Sequence, residues 1–299
     1  MTIAMCYMSP EGVVLGADST TSVPISTGPG LFGFHYLNHN QKLFQLGENS
    51  TVGVVTWGLG GLASASHRTL LGLLSDSIQS HAPADVKEIA DRWATQFWKI
   101  YIADPLVVQF RTILNKQPYN PSNPTDPNAR TEEEDKNIPI FTRNLFVGFI
   151  IAGYWLPDRT PVGFQIPFDP MSSAAPSPQP ILLGNYFYAG APNIIKRLIN
   201  GADDNLKDSI KSSGKWTGND ADLVALLNQF ILFHPNLPIR DAIDFVHSCI
   251  QSTIKALKFS NMFQVCGGPI ELAVITSDRR FRWVRHKQWD SAIIEGGPS

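Results

Sequence analysis

The stretch "MTIAMCYMSPEGVVLGADST" (residues 1–20) combines two apolar runs with a tight turn and a polar end. The runs, at 2–9 and 12–19, flank a Pro-Glu-Gly turn, which is typical of a β-hairpin. The first strand is therefore expected to begin at residue 2, although the first residues of most chains are poorly ordered because nothing ties them down. A strand that begins so early either has a purely structural role at the edge of a sheet or forms part of a functional site.

Composition narrows the class of protein. The chain has 299 residues and a formal net charge of −2, which gives no electrostatic reason to expect a nucleic-acid or anionic-membrane partner. The longest apolar stretch, residues 145–156, is too short to cross a bilayer and is expected to form a buried strand. The sequence shows no signal-peptide pattern. Cys6, Cys249 and Cys266 lie far apart without a CxxC pair, which favours a reducing, cytoplasmic location.

Hydrophobic periodicity predicts the elements that follow the hairpin. Further strands are expected at 41–47, 50–58, 145–155, 161–167, 181–188, 264–276 and 281–286. Helices are expected at 61–81, 83–104, 105–115, 192–201, 219–233 and 238–257. An ordered surface loop is expected over 23–40, and Pro-rich loop insertions near 115–140 and 167–180.

The order of these elements predicts the fold class. Runs of strands alternate with runs of helices, which indicates an α+β fold rather than a doubly wound sheet. Two sheets with apolar faces need each other, and each outer face needs helices. The sequence therefore predicts a four-layer α-β-β-α sandwich of two antiparallel sheets, formed as a single domain over residues 1–299.

Three motifs of the first 75 residues resemble proteasome β-type subunits and their bacterial relatives, which belong to the N-terminal-nucleophile hydrolase superfamily. The first motif is Gly-Val-Val-Leu-Gly-Ala-Asp-Ser at 12–19, the second is Lys-Leu-Phe at 42–44, and the third is the Gly-rich stretch 56–61. Counting back from Asp18 by the usual spacing of that family leads to Thr2. The resemblance is looser over 141–200 and 238–286.

The resemblance implies an N-terminal threonine hydrolase that cleaves peptide amide bonds. Thr2, exposed by removal of Met1, would be the nucleophile, and its own α-amine, with a pKa of about 7.7–8.0 in model peptides, would be the base. Lys42 would lower the pKa of the hydroxyl, and Asp18 would pair with the Lys42 ammonium. Backbone N–H groups around Gly58 would hold the oxyanion, and Ser22 would contact the substrate backbone.

Departures from the family pattern affect the groups that would support this site. Phe263 and Cys266 occupy the places of an Asp and a Ser that precede the late Gly-Gly. The run Ala-Gly-Ala-Pro at 189–192 carries no hydroxyl where the family has a Ser. Asn261 or Glu271 would substitute for the missing Asp by a shift of register. The side chains that would support the implied nucleophile therefore differ from those of the family.

Two alternatives remain open beside the peptidase. One is a catalytically silent scaffold subunit, and the other is a small-amide acylase on the same fold. No cofactor and no metal are expected, because the pair His35 and His39 has no carboxylate nearby in sequence. The expected partners are a peptide or protein substrate and further copies of the chain in a ring or ring-like assembly, and the resemblance leaves open an activating ATPase.

Aromatic side chains suggest where copies of the chain would meet. The loop at 23–40 carries Phe32, Phe34, His35 and Tyr36. The helical region 61–104 carries Trp93, Phe97 and Trp98, more aromatic surface than one helix face needs for its own sheet. Both regions are expected to contribute to protomer contacts.

Overall fold

The computed structural model describes residues 2–28, 31–261 and 264–287, and its architecture is mixed α and β. Within these ranges six strands are followed by four helices, four strands, four helices and two final strands. This alternation of runs confirms the predicted α+β class. None of the described helices combines the length and apolarity that a bilayer crossing needs.

The first sheet is antiparallel and contains both ends of the described chain. Its strands, in spatial order, are β10 (Asn185–Gly190), β1 (Ile3–Ser9), β2 (Gly12–Ala17), β11 (Glu271–Thr276) and β12 (Arg279–Arg285). Ala17 pairs with Ala4 on one side and with Glu271 on the other. The start of β1, the end of β2 and the start of β11 therefore lie side by side.

The second sheet is also antiparallel. Its strands, in spatial order, are β5 (Leu43–Gln45), β6 (Val52–Gly58), β7 (Val147–Gly153), β8 (Val162–Phe168) and β9 (Gln179–Ile181). A separate two-stranded hairpin consists of β3 (Thr21–Gly28) and β4 (Leu31–Leu37). This hairpin lies in sequence between β2 and β5, so it separates Asp18 from Lys42 along the chain.

The helices form two groups along the chain. The first group is α1 (His67–Ser80), α2 (Val86–Tyr101), α3 (Pro105–Leu114) and α4 (Glu132–Leu145). The second group is α5 (Asn193–Asn200), α6 (Asp204–Ser212), α7 (Asp220–Asn228) and α8 (Ile239–Lys258). Side-chain oxygens cap the N-termini of six of these helices, which satisfies backbone N–H groups that have no partner within a helix.

Packing between the elements explains why β1 is buried along its whole length. On one face, side chains such as Cys6 join an apolar cluster that contains Val55 and Ile150 of the second sheet. On the other face, side chains such as Met5 join a cluster that contains Ile250 of α8. Successive side chains of a strand point to opposite faces, so apolar residues at every position fit a strand covered on both sides.

The aromatic residues of α2 belong to the core, which corrects one expectation. Trp93 and Phe97 each lie 4.9 Å, centroid to centroid, from the Phe149 ring of β7. Trp98 is 9% exposed and stacks near Phe168 of β8. The prediction that these side chains form a protomer contact is wrong, because they cover the second sheet. Of the aromatics expected at 23–40, the side chains of Phe32 and Phe34 lie outside the described part, and His35 and Tyr36 are exposed.

Two loop predictions are also wrong in part. Residues 23–40 contain most of the β3–β4 hairpin instead of a loop. The second half of the 115–140 insertion forms α4, because Thr131 and Glu134 make a capping box and the first turn carries four acidic residues, which favour a helix N-terminus. Four of the five prolines in that stretch precede the helix, and only Pro139 lies within it.

Candidate functional site

Asp18 directly follows β2 and is the centre of a buried polar cluster. Its Oδ1 accepts hydrogen bonds from the Ile3 N–H at 3.0 Å and from the Lys42 ammonium at 2.8 Å. Its Oδ2 accepts from the Thr20 N–H at 3.2 Å and from the Gly267 N–H at 2.8 Å. The carboxylate is completely buried, and these four donors compensate for the loss of water.

Lys42 immediately precedes β5 and is 3% exposed. Besides the Asp18 contact, its ammonium donates to the Thr20 carbonyl oxygen at 2.5 Å. The Lys42 carbonyl accepts from the Thr56 N–H at 2.9 Å, which ties its backbone to β6. The predicted contact between Asp18 and Lys42 is therefore confirmed, and a catalytic role for the pair stays a prediction.

Thr2 lies at the same end of the first sheet, one residue before β1. With Met1 still attached it is 3% exposed. The Asp18 carboxylate bonds to the N–H of the next residue, Ile3, so Asp18 fixes the backbone that presents Thr2. Gly190 closes the other side: its φ is +91°, and a Cβ there would lie 1.7 Å from the Thr2 carbonyl oxygen. Only glycine fits this close approach.

Gly58 and Gly60 of the Gly-rich turn have different neighbours. Gly58 ends β6 with a φ of +87°, and the next N–H, that of Leu59, donates to the Phe146 carbonyl at 2.9 Å. A Cβ on Gly60 would lie 3.5 Å from Asn40 Nδ2 and 3.6 Å from Thr21 Cγ2. The role of Gly58 in binding an oxyanion stays a prediction, and the N–H of Leu59 already has an intramolecular acceptor.

Two serine hydroxyls that follow Asp18 in sequence are buried, and neither has a hydrogen-bond partner among the described residues. The Oγ atoms of Ser19 and Ser22 accept and donate no hydrogen bond among the residues that the structure describes. Ser22 lies on β3, opposite Tyr36 of β4. Most buried polar side-chain atoms in folded proteins have a hydrogen-bond partner, so these two hydroxyls are unusual. The expected contact of Ser22 with a substrate backbone stays a prediction.

The late Gly-Gly turn supports Asp18 by its backbone rather than by side chains. Besides the Gly267 N–H, the Gly267 carbonyl accepts from the Ser19 N–H at 3.0 Å. Cys266 is completely buried, and burial, with a smaller contribution from the Asp18 charge, raises the pKa of its thiol to about 12. A neutral thiol therefore stands where the resemblance implies a serine hydroxyl. Phe263 lies outside the described residues.

A second buried carboxylate, Glu271, lies beside this cluster. Its residue pairs with Ala17 across the sheet and is completely buried. Its oxygens lie 2.7 Å from His286 Nδ1 and 3.3 Å from Lys287 Nζ. Neither oxygen accepts an aligned hydrogen bond from a described residue. The Lys287 contact is therefore an ion pair without ideal hydrogen-bond geometry, and the His286 contact is one only when the imidazole is protonated. No described contact joins Glu271 to Thr2, and substitution for the missing Asp by Glu271 or Asn261 stays a prediction.

Lys287 connects the two carboxylate clusters. Its ammonium donates to the Asn40 carbonyl, two residues before Lys42, at 2.8 Å. Burial is the main cause that lowers the pKa of Lys287, and the positive charges of Lys42 and Arg68 lower it further, against the opposing effect of Glu271. An acidic residue at the start of the apolar strand "ELAVIT" signalled Glu271, but nothing in the sequence signalled its partners.

No protein-family model matches this sequence, and no curated protein matches it either. The chemistry of the site therefore has to be inferred from its own residues. In the described part of the chain, no three His, Cys, Asp or Glu side chains converge as metal ligands do. The groups that do converge are a carboxylate, an ammonium and the backbone of residues 2–3.

Proposed function

We propose that this chain is an N-terminal threonine hydrolase of the N-terminal-nucleophile class, built as a four-layer α-β-β-α sandwich. The observation that carries the proposal is the position of Asp18. One of its oxygens contacts both the Lys42 ammonium and the N–H that follows Thr2. The arrangement thus holds a buried positive charge next to the backbone that presents the only hydroxyl at the start of β1.

The proposed reaction requires removal of Met1, which frees the α-amine of Thr2. The amine takes the proton of the Thr2 hydroxyl, and the Oγ attacks the carbonyl carbon of a peptide amide. The tetrahedral intermediate collapses to an acyl-enzyme ester, and the leaving amine takes the proton. Water then attacks the ester and releases the acid. The Lys42 charge favours the alkoxide, and backbone N–H groups of the 58–61 turn stabilise the oxyanion.

A catalytically silent subunit is the second candidate, and the burial of Thr2 favours it. At 3% exposure, Thr2 offers almost no surface to a substrate. Cys266 also supplies no hydroxyl to polarise the N-terminus. Both candidates share two further proposals from the resemblance: an assembly of several copies of the chain and a cytoplasmic location. The hydrolase would in addition act on peptides or small amides.

The test combines intact mass with turnover of blocked fluorogenic peptide amides. We expect the purified chain to lack Met1 and to release fluorophore. We expect Thr2→Ala to abolish turnover, and Thr2→Ser to retain part of it because the hydroxyl remains. The matched control is Thr112→Ala, an exposed threonine of α3, which should leave turnover unchanged. Retention of Met1, or equal turnover by Thr2→Ala and the wild type, contradicts the proposal.

A further inference from the structure

A groove of about 830 Å³ runs along α1, between that helix, β5 and the end of β12. This volume lies within the range of roughly 300–1,000 Å³ that is typical of small-ligand sites. Phe44 and Trp283 supply apolar surface to it, and Arg68, Gly72 and Lys287 also line it. The groove has both a place for an apolar group and charged side chains to orient a ligand.

Gly72 gives an independent reason to regard the groove as a binding site. It lies in the interior of α1 and is exposed, where glycine weakens a helix relative to alanine. A Cβ at Gly72 would meet no atom within 4 Å, so no packing constraint requires glycine there. What the missing side chain does provide is open space in the groove. Gly72 thus makes α1 less stable than alanine would, at the position where a side chain would occupy the groove.

The charge of the groove is positive at one end. Arg68 has no carboxylate within ion-pair distance among the described residues, and its guanidinium donates instead to the side-chain oxygen of Gln41. Arg68 and Lys287 line the same groove. Asp76, the acid that lines the groove, lies eight residues further along α1, about 12 Å away. That separation exceeds the Debye length of about 8 Å, so Asp76 does not neutralise the Arg68 end.

The Lys287 end of the groove contacts the segment that leads into the candidate catalytic cluster. Lys287 lines the groove, and its ammonium donates to the Asn40 carbonyl, two residues before Lys42. At this end Glu271 forms an ion pair with Lys287 and lies 2.7 Å from His286 Nδ1.

We propose that this groove binds peptide-like ligands that carry a carboxylate, with the carboxylate at the Arg68–Lys287 end and an apolar side chain against Phe44 and Trp283. The carboxylate would pair with the Arg68 guanidinium, which is the cation without an acidic partner. The proposal rests on the proposed function only in taking the ligand to be a peptide substrate. It makes acidic peptides the preferred substrates of this chain.

Binding is measured by calorimetry with two probes that differ only in charge, acetyl-Ala-Leu-Glu-amide and acetyl-Ala-Leu-Gln-amide. We use both the wild type and Thr2→Ala, so that binding is observed without turnover. The acidic probe should bind at least tenfold more tightly, and Arg68→Gln should remove that preference. Equal affinity for the two probes, or no measurable binding of the acidic probe, overturns the proposal.

Gly72→Phe tests the groove itself. It should weaken binding of the acidic probe at least tenfold and leave the melting temperature equal or higher, because phenylalanine is a better helix former than glycine. Leu73→Phe, at an exposed neighbouring position, should change neither. Unchanged binding by Gly72→Phe overturns the proposal. Charge-selective binding without Thr2-dependent turnover would support the groove and reject the hydrolase, and the reverse result would reject the groove alone.

Discussion

Replacing Asp18 by asparagine is the most informative change to the polar cluster. The substitution keeps the shape of the side chain and removes its charge. Both carboxylate oxygens face donors: Oδ1 faces two and Oδ2 faces two. Whichever way the new amide points, its NH₂ group meets N–H groups that need an acceptor. The Lys42 ammonium, 3% exposed, also loses its counter-ion.

The expected loss of stability follows from these contacts. Leaving one member of a buried ion pair uncompensated costs about 3–5 kcal/mol. An unfolding entropy of about 2.1 cal/mol/K per residue gives roughly 0.6 kcal/mol/K for a chain of this length. Asp18→Asn should therefore lower the melting temperature by about 5–8 °C.

Lys42→Met should cost less than Asp18→Asn, because the remaining carboxylate keeps three backbone N–H donors. Loss of one hydrogen bond to a charged group costs about 1.5–3 kcal/mol, or roughly 2–5 °C here. The double variant should be more stable than the sum of the two changes predicts, since it contains no unpaired ammonium. Lys87→Met, which breaks an exposed pair on α2, is the control and should give no measurable shift.

Urea unfolding and calorimetry of the four variants and the wild type measure these effects. The expected order of stability places Lys42→Met above Asp18→Asn. If Lys42→Met is the more damaging change, the backbone donors do not hold the carboxylate and the reasoning is wrong. If both variants are as stable as the wild type, the pair is not buried in solution.

Three further predictions concern other buried groups. Burial lowers the pKa of His67 to about 4 from an ordinary value near 6.5, so between these pH values the unfolded chain takes up a proton and the folded chain does not. The free energy of unfolding should therefore fall by up to about 3 kcal/mol as the pH is lowered through that window. His67→Phe should flatten the profile of unfolding free energy against pH. Gly190→Ala should cost roughly 2 kcal/mol or more because of its positive φ and its contact with Thr2, whereas Gly60→Ala, with no atom closer than 3.5 Å, should have little effect on urea unfolding. The three cysteines are buried, and at pH 8 iodoacetamide should therefore modify none of them in the folded protein and all of them in urea, as intact mass would show.

The sequence was sufficient to predict the elements that have a clear period. The strands at 2–9 and 12–19 and the long helix near the C-terminus were predicted nearly to their bounds, because burial of a face imposes its period on the residues. The Asp18–Lys42 contact was predicted through the resemblance, and its geometry is present. The chemistry that the resemblance attaches to it awaits the experiments described for Thr2.

The errors have identifiable physical causes. The β3–β4 hairpin contains glycine and proline in place of a clean alternation, so nothing local marked it as a strand pair. Half of the sixteen residues of α2 are buried, because the helix packs against more than one neighbour. An estimate from a single apolar face therefore gives too low a number of buried residues. The partners of Glu271 directly follow β12, the strand that pairs with β11. The register of this pairing is irregular between Leu272 and Ala273, so the sequence pattern did not show which residues would face Glu271.

Hydrogen bonds at the base of the β3–β4 hairpin, between Asn40 and residues 19–21, allow the hairpin to vary in length. Two hydrogen bonds join its two sides: Asn40 N–H donates to the Ser19 carbonyl at 3.0 Å, and Asn40 Nδ2 donates to Thr21 Oγ1 at 2.6 Å. The chain therefore leaves and re-enters the sheet region at a fixed point, whatever happens beyond it. Because the entropy of loop closure grows only with the logarithm of length, the excursion between Asp18 and Lys42 can be shortened or extended at little energetic cost. Natural variation in the length of this excursion would leave the geometry of the buried ion pair unaltered, and a grafted sequence could be inserted there for the same reason.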